Sequence, residues 1–243
     1  MRESVISLSA ESPSRVDVHR MFDRISGRYD LLNRILSLGM DVYWRNRAVA
    51  ELDDEQHKTV VDLACGTGDV AIASVKANRH RKVIGVDMAS QMLAVAKTKV
   101  EKQGLQDQIQ LARGDGLRIP VADQSVDAAT IAFGIRNMPD TTACLKEMRR
   151  VLRPGGKSVI LEFSLPKNKA LRSIHLFYLR NLLPVIGKIL SGDDYAYSYL
   201  NKTIETYPHG VKFCELMTSA GFVDVRACPL TMGIVTLYTG VRN

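Results

Sequence analysis

The sequence predicts an α/β fold in which a mostly parallel sheet is wound right-handedly between helices, and three observations carry that prediction. From residue 60 to residue 165, strand-like runs alternate with helical periodicity, the pattern of successive βαβ units. The apolar run at Val60, Val61 and Leu63 leads into Gly66 and Gly68 with a helix pattern directly behind. Glycines there let the backbone pass close to a ligand at a helix N-terminus. The next strand ends in Asp87, 19 positions after Gly68, where a carboxylate can accept from both ribose hydroxyls of an adenosine.

Taken in order, residues 16–29, 29–37 and 42–52 carry helical spacing ahead of the first strand and form a cap, with Tyr29, Asp30 and Asn33 as polar groups able to face a ligand. After Asp87 a helix starts near Ser90, with Met92, Leu93, Ala96 and Val100 on one face. Asp87 could serve that helix as a cap alone. A third strand ends at Asp115. The fourth, 128–133, is nearly continuous in apolar residues and so buried on both faces, and it brings Gly134, Ile135, Arg136 and Asn137 to the edge of the crevice.

A helix over 141–152 then meets a turn at 153–157, built on Pro154, Gly155 and Gly156, before a strand over 158–164. Residues 170–190 interrupt the alternation with an apolar stripe punctuated by Arg172, His175, Arg180 and Lys188, and Pro184 is expected to kink or divide it. Such a stripe suits a packed helix, a lid over an apolar substrate or an interfacial helix pair. A polar stretch around Tyr195, Tyr197, Tyr199 and Asn201 follows. A helix over 210–220 and strands over 222–227 and 233–240 complete an antiparallel edge.

The 243 residues, 46% hydrophobic and 24% charged, are those of a soluble globular protein of one domain with an appendage. Residues 1–15 read as a flexible tail and 16–243 as the domain, within which 16–55 is the helical cap and 166–208 a helical insertion. The apolar runs are too short to span a bilayer. Cys65, Cys144, Cys214 and Cys228 are scattered, which points to a reducing, cytoplasmic compartment and away from a zinc site or disulfide framework. No metal is expected. The net charge of +7 favours phosphates or an anionic membrane surface, yet it forms no clustered basic face of the kind nucleic-acid binding needs.

With Ala71, the glycine turn also satisfies the Gly-x-Gly-x-x-Gly/Ala spacing of nicotinamide-binding folds. The later motifs separate the two cofactors. Asp62-x-x-x-Gly66-x-Gly68, then Asp87, then Gly114-Asp115-Gly116, then Ser125-Val126-Asp127 resembles a class I S-adenosylmethionine methyltransferase, a Rossmann-like fold with a mostly parallel seven-stranded sheet and an antiparallel C-terminal strand. The segments Tyr29-Asp30-x-x-Asn33, Phe133-Gly134-Ile135-Arg136-Asn137, Arg150 through Lys157, and Glu162-Phe163-Ser164 are similar to those of the UbiE/MenG/COQ5 quinone C-methyltransferases.

That resemblance implies S-adenosylmethionine as cofactor, held by Gly66, Thr67, Gly68, Asp87, Met88, Asp115, Gly116 and Ala132. It implies a polyprenyl quinol as substrate, methylated on a ring carbon in menaquinone and possibly ubiquinone biosynthesis; another small molecule or RNA is the alternative. Contact with the membrane surface through residues 170–190 is expected, and a homodimer is compatible with it. Because a ring carbon attacks best beside an ionised hydroxyl, Arg136 and Asn137 are assigned to holding the oxyanion, with a strand-end ion pair as the other reading of Arg136. Asp30, Tyr207, His209 or water remain open as proton acceptor. Asp41, Ala132 and Thr203 stand where the family usually has histidine, serine and serine, and the missing hydroxyl at Ala132 leaves a backbone contact there.

Overall fold

The computed structural model describes residues 15–53, 55–185 and 194–243. Seven strands, β1 (Thr59–Leu63), β2 (Lys82–Asp87), β3 (Ile109–Arg113), β4 (Val126–Ala132), β5 (Leu152–Phe163), β6 (Phe222–Leu230) and β7 (Val235–Arg242), form one sheet. Their order is β3-β2-β1-β4-β5-β7-β6. The pairs among the first five are parallel, and β7 lies antiparallel to both its neighbours. Strand order reverses between β1 and β4, which opens a crevice at their carboxyl ends. Val60, Val61 and Leu63 on β1 and Ala128, Ala129 and Ile131 on β4 are fully enclosed, as continuous apolar runs covered on both faces require.

Three helices, α1 (Arg15–Ile25), α2 (Tyr29–Leu36) and α3 (Met40–Val49), make the cap. Trp44 pins it to the sheet. Its ring meets Phe163 edge-on at 6.3 Å and lies tilted 6.0 Å from Phe133, which is itself 4.6 Å from Phe163. Its indole N–H donates to Thr231 Oγ1 at 2.8 Å, so the polar end of a buried tryptophan is satisfied. Further helices α4 (Asp69–Ala77), α5 (Ser90–Lys102) and α6 (Thr141–Val151) cross over between the parallel strands, followed by α7 (Lys169–Phe177), α8 (Asp194–Thr206) and α9 (Val211–Ser219).

The structure adds detail to the expectation in three places. The expected turn over 153–157 is absorbed into β5 as a bulge: Val126 pairs with Leu152 and Ala128 with Lys157. Glycine is needed there, because Gly155 has φ +77° and a Cβ on Gly156 would sit 2.8 Å from the Arg153 carbonyl oxygen. The polar stretch around Tyr199 is a helix, α8, whose Leu200 and Ile204 pack against Leu179 and Leu183; tertiary burial overrides the modest helix propensity of Tyr, Asn and Thr. Pro184 lies in backbone that is still helical over the described residues 183–185. A π turn at Tyr178–Leu182 precedes it, widening the backbone where the proline ring would otherwise clash with the carbonyl four residues back. The tail over 1–14 and the end of the apolar stripe, Lys188 included, lie outside the described residues.

One core position carries a charge problem. Asp62 on β1 is enclosed; Thr130 on β4 donates to its Oδ1 at 2.6 Å, while Oδ2 has no partner among the described residues. Burial, followed by the nearby charge of Asp87, pushes the carboxyl from 3.8 up to about 7, against the pull of the Thr130 hydroxyl. The folded chain therefore keeps this proton longer than the unfolded chain does. The stability so gained is full below the unfolded value and is lost as pH rises through the folded one. Asp62→Asn keeps an acceptor for Thr130 and removes the titration, so the fall in Tm between pH 3.8 and about 7 should flatten in that variant. Parallel Tm profiles for parent and variant would show that Asp62 does not hold a proton in the fold.

Candidate active site

At the switch point both strand ends turn through left-handed backbone at residues with side chains: Ala64 after β1 has φ +47° and Phe133 after β4 has φ +57°. Each such residue costs on the order of 1–3 kcal/mol, and strain of this kind collects at functional sites. A Cβ on Gly134 would lie 2.6 Å from that of Ala64, so the two loops touch and define one wall of the crevice. Asp87 closes another side. Its Oδ2 accepts from the Gly66 N–H at 2.8 Å and its Oδ1 from the Ala89 N–H at 2.8 Å. These two bonds fix the orientation of the carboxylate at the edge of the crevice. Asp87 thus faces the crevice and also holds Ala89, the residue just before α5.

The crevice is lined by Gly66, Asp87, Met88, Asp115, Gly116, Ala132 and Asn137 of the expected set, with Val18, Phe22 and Tyr29 arching over from the cap. Asp115 is held by the Leu117 N–H, which donates to Oδ1 at 2.9 Å. The space beside Gly116 is narrow, since a Cβ there would approach the Met138 Cε to 2.8 Å. A carboxylate at a strand end, a second carboxylate beyond a glycine, and apolar walls of Met88, Met92 and Phe133 fit a ribose, an adenine and an apolar thioether-like chain.

Thr67 and Gly68 stand one layer back. The Thr67 hydroxyl donates to Asp30 Oδ1 at 2.5 Å, and Gly68, with φ +81°, lets α4 approach Ala96 of α5, where a Cβ would come within 3.3 Å. Asp30, Tyr207 and His209, offered above as proton acceptors, line neither this crevice nor the cavity beside it. Asp30 is occupied by Thr67 and by Lys99 Nζ at 2.8 Å. The Tyr207 hydroxyl is bonded to Thr141, and burial pushes its pKa up.

Sharing Phe22, Tyr29 and Phe133 with the crevice is a second cavity of about 480 Å³, walled mainly by apolar residues of the cap, α7 and α8. The 3₁₀ turn Ile135–Asn137 stands between the two, so that Asn137 lines the crevice and Arg136 the cavity. Arg136 Nη1 donates to Glu162 Oε1 at 2.8 Å and to the Phe133 carbonyl at 2.5 Å, and the guanidinium sits 5.3 Å from the centre of the Phe163 ring. The ion pair and the cavity-facing position coexist: Nε has no partner among the described residues. Asn137 Oδ1 accepts from the Tyr199 hydroxyl at 3.2 Å. Sequence reasoning did not find His175 or Trp44 as cavity residues, because the topology alone brings α7 and α3 together there.

Residues 9–242 match the model of the ubiE/COQ5 methyltransferase family. The chain is 39% identical to a demethylmenaquinone methyltransferase of Bacteroides fragilis over 99% of this chain and 98% of that one. It is 43% identical to a ubiquinone/menaquinone biosynthesis C-methyltransferase of Syntrophotalea carbinolica over 93% and 94%. Among solved structures it resembles SAM-dependent methyltransferases from Thermotoga maritima (TM-score 0.63, 19% identity, 92% of this chain and 99% of that one) and Aquifex aeolicus (TM-score 0.62, 16% identity, 96% and 100%) in fold. With a crevice suited to S-adenosylmethionine and a family match spanning nearly its whole length, the chain belongs to the ubiE/COQ5 methyltransferase family.

Proposed function

We propose that this enzyme methylates a ring carbon of a polyprenyl quinol in menaquinone biosynthesis, the reaction for which its demethylmenaquinone methyltransferase relatives are named. The observation that carries the reading is the union of a crevice bearing two carboxylates with an apolar cavity across Phe22, Tyr29 and Phe133, with Arg136 and Asn137 at the partition. When bound, S-adenosylmethionine supplies an already activated methyl group. Asp87 and Asp115 would hold its ribose and adenine beneath Val18, Phe22 and Tyr29 of the cap. The chain's remaining task is to align the ring and stabilise charge on its oxygen. Arg136 would serve that oxygen with its uncommitted Nε–H, while Glu162, Phe133 and Phe163 fix the guanidinium plane.

The tail has an exit. Leu38, Ile174 and Met232 line the cavity and are 90%, 66% and 68% exposed. They make a greasy rim where an isoprenoid chain leaves toward a bilayer. Among the described residues no helix is long and apolar enough to cross a membrane, so peripheral contact through this rim is the reading that fits a membrane-borne substrate. Of the basic residues expected to help, Arg180 is tied to Glu205 and Arg172 remains on α7.

Asp87→Ala should weaken S-adenosylmethionine by about 1–3 kcal/mol, the scale of a lost charged acceptor; unchanged affinity by calorimetry in a folded variant would remove Asp87 from the site. For Arg136, removal alone would strand the buried Glu162, so the informative variant is Arg136→Gln with Glu162→Gln. It should bind cofactor normally and methylate quinol about a hundredfold more slowly, and near-parental turnover would reduce Arg136 to an ion-pair partner. On the exposed face of α7, Ile174→Asp with Phe177→Asp should cut sedimentation with anionic liposomes and turnover of long-tailed quinol while sparing a short-tailed one. Equal loss on both tails would make α7 an ordinary packed helix.

A further inference from the structure

Nearly every buried polar side chain of the apolar cavity is committed elsewhere in the fold. The Ser37 hydroxyl donates to Asp41 Oδ1 at 3.0 Å, Arg45 donates to Asp41 Oδ2 at 2.5 Å, and the Tyr178 hydroxyl donates to the Leu36 carbonyl at 2.7 Å. Trp44 and Tyr199 have the partners named above, and Arg136 keeps one uncommitted donor, its Nε–H. Tyr29 and Asn33 are partly exposed, so water can serve them. His175 differs. It lies on α7 within the cavity wall, is 9% exposed, and its Nε2 has no hydrogen-bond partner among the described residues. A buried nitrogen left so costs on the order of 1–3 kcal/mol, and such orphans call for an explanation.

We propose that His175 Nε2 accepts a hydrogen bond from the quinol hydroxyl that Arg136 does not hold, so that the cavity grips the ring by both of its para oxygens. This rests on the reading of the cavity as the quinol site. Nε2 is closed to solvent in the observed rotamer, so the proposal requires a turn of the imidazole toward the ring, after which the ligand's hydroxyl meets no solvent competitor. Burial holds the imidazole below its ordinary pKa, so at neutral pH the ring is uncharged and one nitrogen is free to accept. An acceptor here distinguishes redox states: the quinol has a proton to give, whereas the oxidised quinone carries a carbonyl in its place and would leave Nε2 unpaired. Selection for the reduced ring follows, which is also the nucleophilic one.

The test compares His175→Phe, which keeps bulk without an acceptor, and His175→Gln, which restores an amide oxygen, on a short-tailed naphthalene-1,4-diol and on its analogue lacking the second hydroxyl. Relative to the parent, His175→Phe should raise KM for the diol about tenfold, the scale of one hydrogen bond. KM for the mono-hydroxy analogue and the cofactor Kd should not change. The matching oxidised quinone should inhibit His175→Phe at least as well as the parent, His175→Gln should recover part of the diol affinity, and the Tm of His175→Phe should hold or rise because the orphan is gone. Equal losses on diol and mono-hydroxy ring, or a lowered Tm tracking the KM change, would overturn the assignment and leave His175 a packing residue. If the parent methylates neither ring, the quinol reading itself fails, an outcome distinct from both.

Discussion

The parting of β1 and β4 is the constraint from which the site follows. Parallel pairing holds Val60 against Ala128 and Leu63 against Ile131, and beyond that point the chains must turn to opposite faces of the sheet. They do so at Ala64 and Phe133, both in left-handed backbone, because the neighbouring loop leaves no room for a gentler exit. The cost is met by the enclosed core beneath and by Asp87, whose two oxygens tie the glycine turn to the start of α5. A crevice bounded by strained loops and a pre-oriented carboxylate needs little reorganisation to receive a ligand.

A chain of charges then sets the cap over that crevice. Lys99 of α5 joins Asp30 of α2 to Asp69 of α4, Arg45 of α3 reaches Asp69 at 3.5 Å and Asp41 at 2.5 Å, and Asp41 meets Arg34 at 3.4 Å. Thr67 joins it through Asp30. Because these groups are partly buried and each is shared, the network is worth more as a positioning device than as a sum of pairs. It places Tyr29, the residue next to Asp30, at the opening between crevice and cavity. Asp41 is stabilised by Ser37, Arg34 and Arg45 and thus belongs to the cap's architecture.

Arg136 shows that a buried ion pair and a place in the cavity wall need not compete. Its pairing with Glu162 takes up Nη1 and part of the carboxylate, and two backbone N–H groups, of Arg136 and Phe163, take up the rest. The guanidinium is therefore rigid, and a rigid donor beside an apolar cavity is what electrostatic stabilisation requires. Asn137, one residue on, is turned by the same 3₁₀ geometry into the crevice and braced by Tyr199. One short turn thereby serves two compartments.

The sequence alone determined the parallel sheet, the glycine turn and the carboxylates at the ends of their strands, since these depend on local patterns: apolar runs of strand length, glycines at a tight connection, an acid 19 positions on. It also marked Arg136 and Asn137 through a short motif. Tertiary structure decided what those patterns do not encode. Thr67 faces the cap because Asp30 and Lys99 arrive from distant segments, and residues 194–206 are helical because Leu200 and Ile204 find an apolar partner surface. His175 became a cavity residue through the docking of α7 against the cap. Long-range burial sets each of these outcomes, and burial is a property of the whole chain's packing that no single window of residues contains.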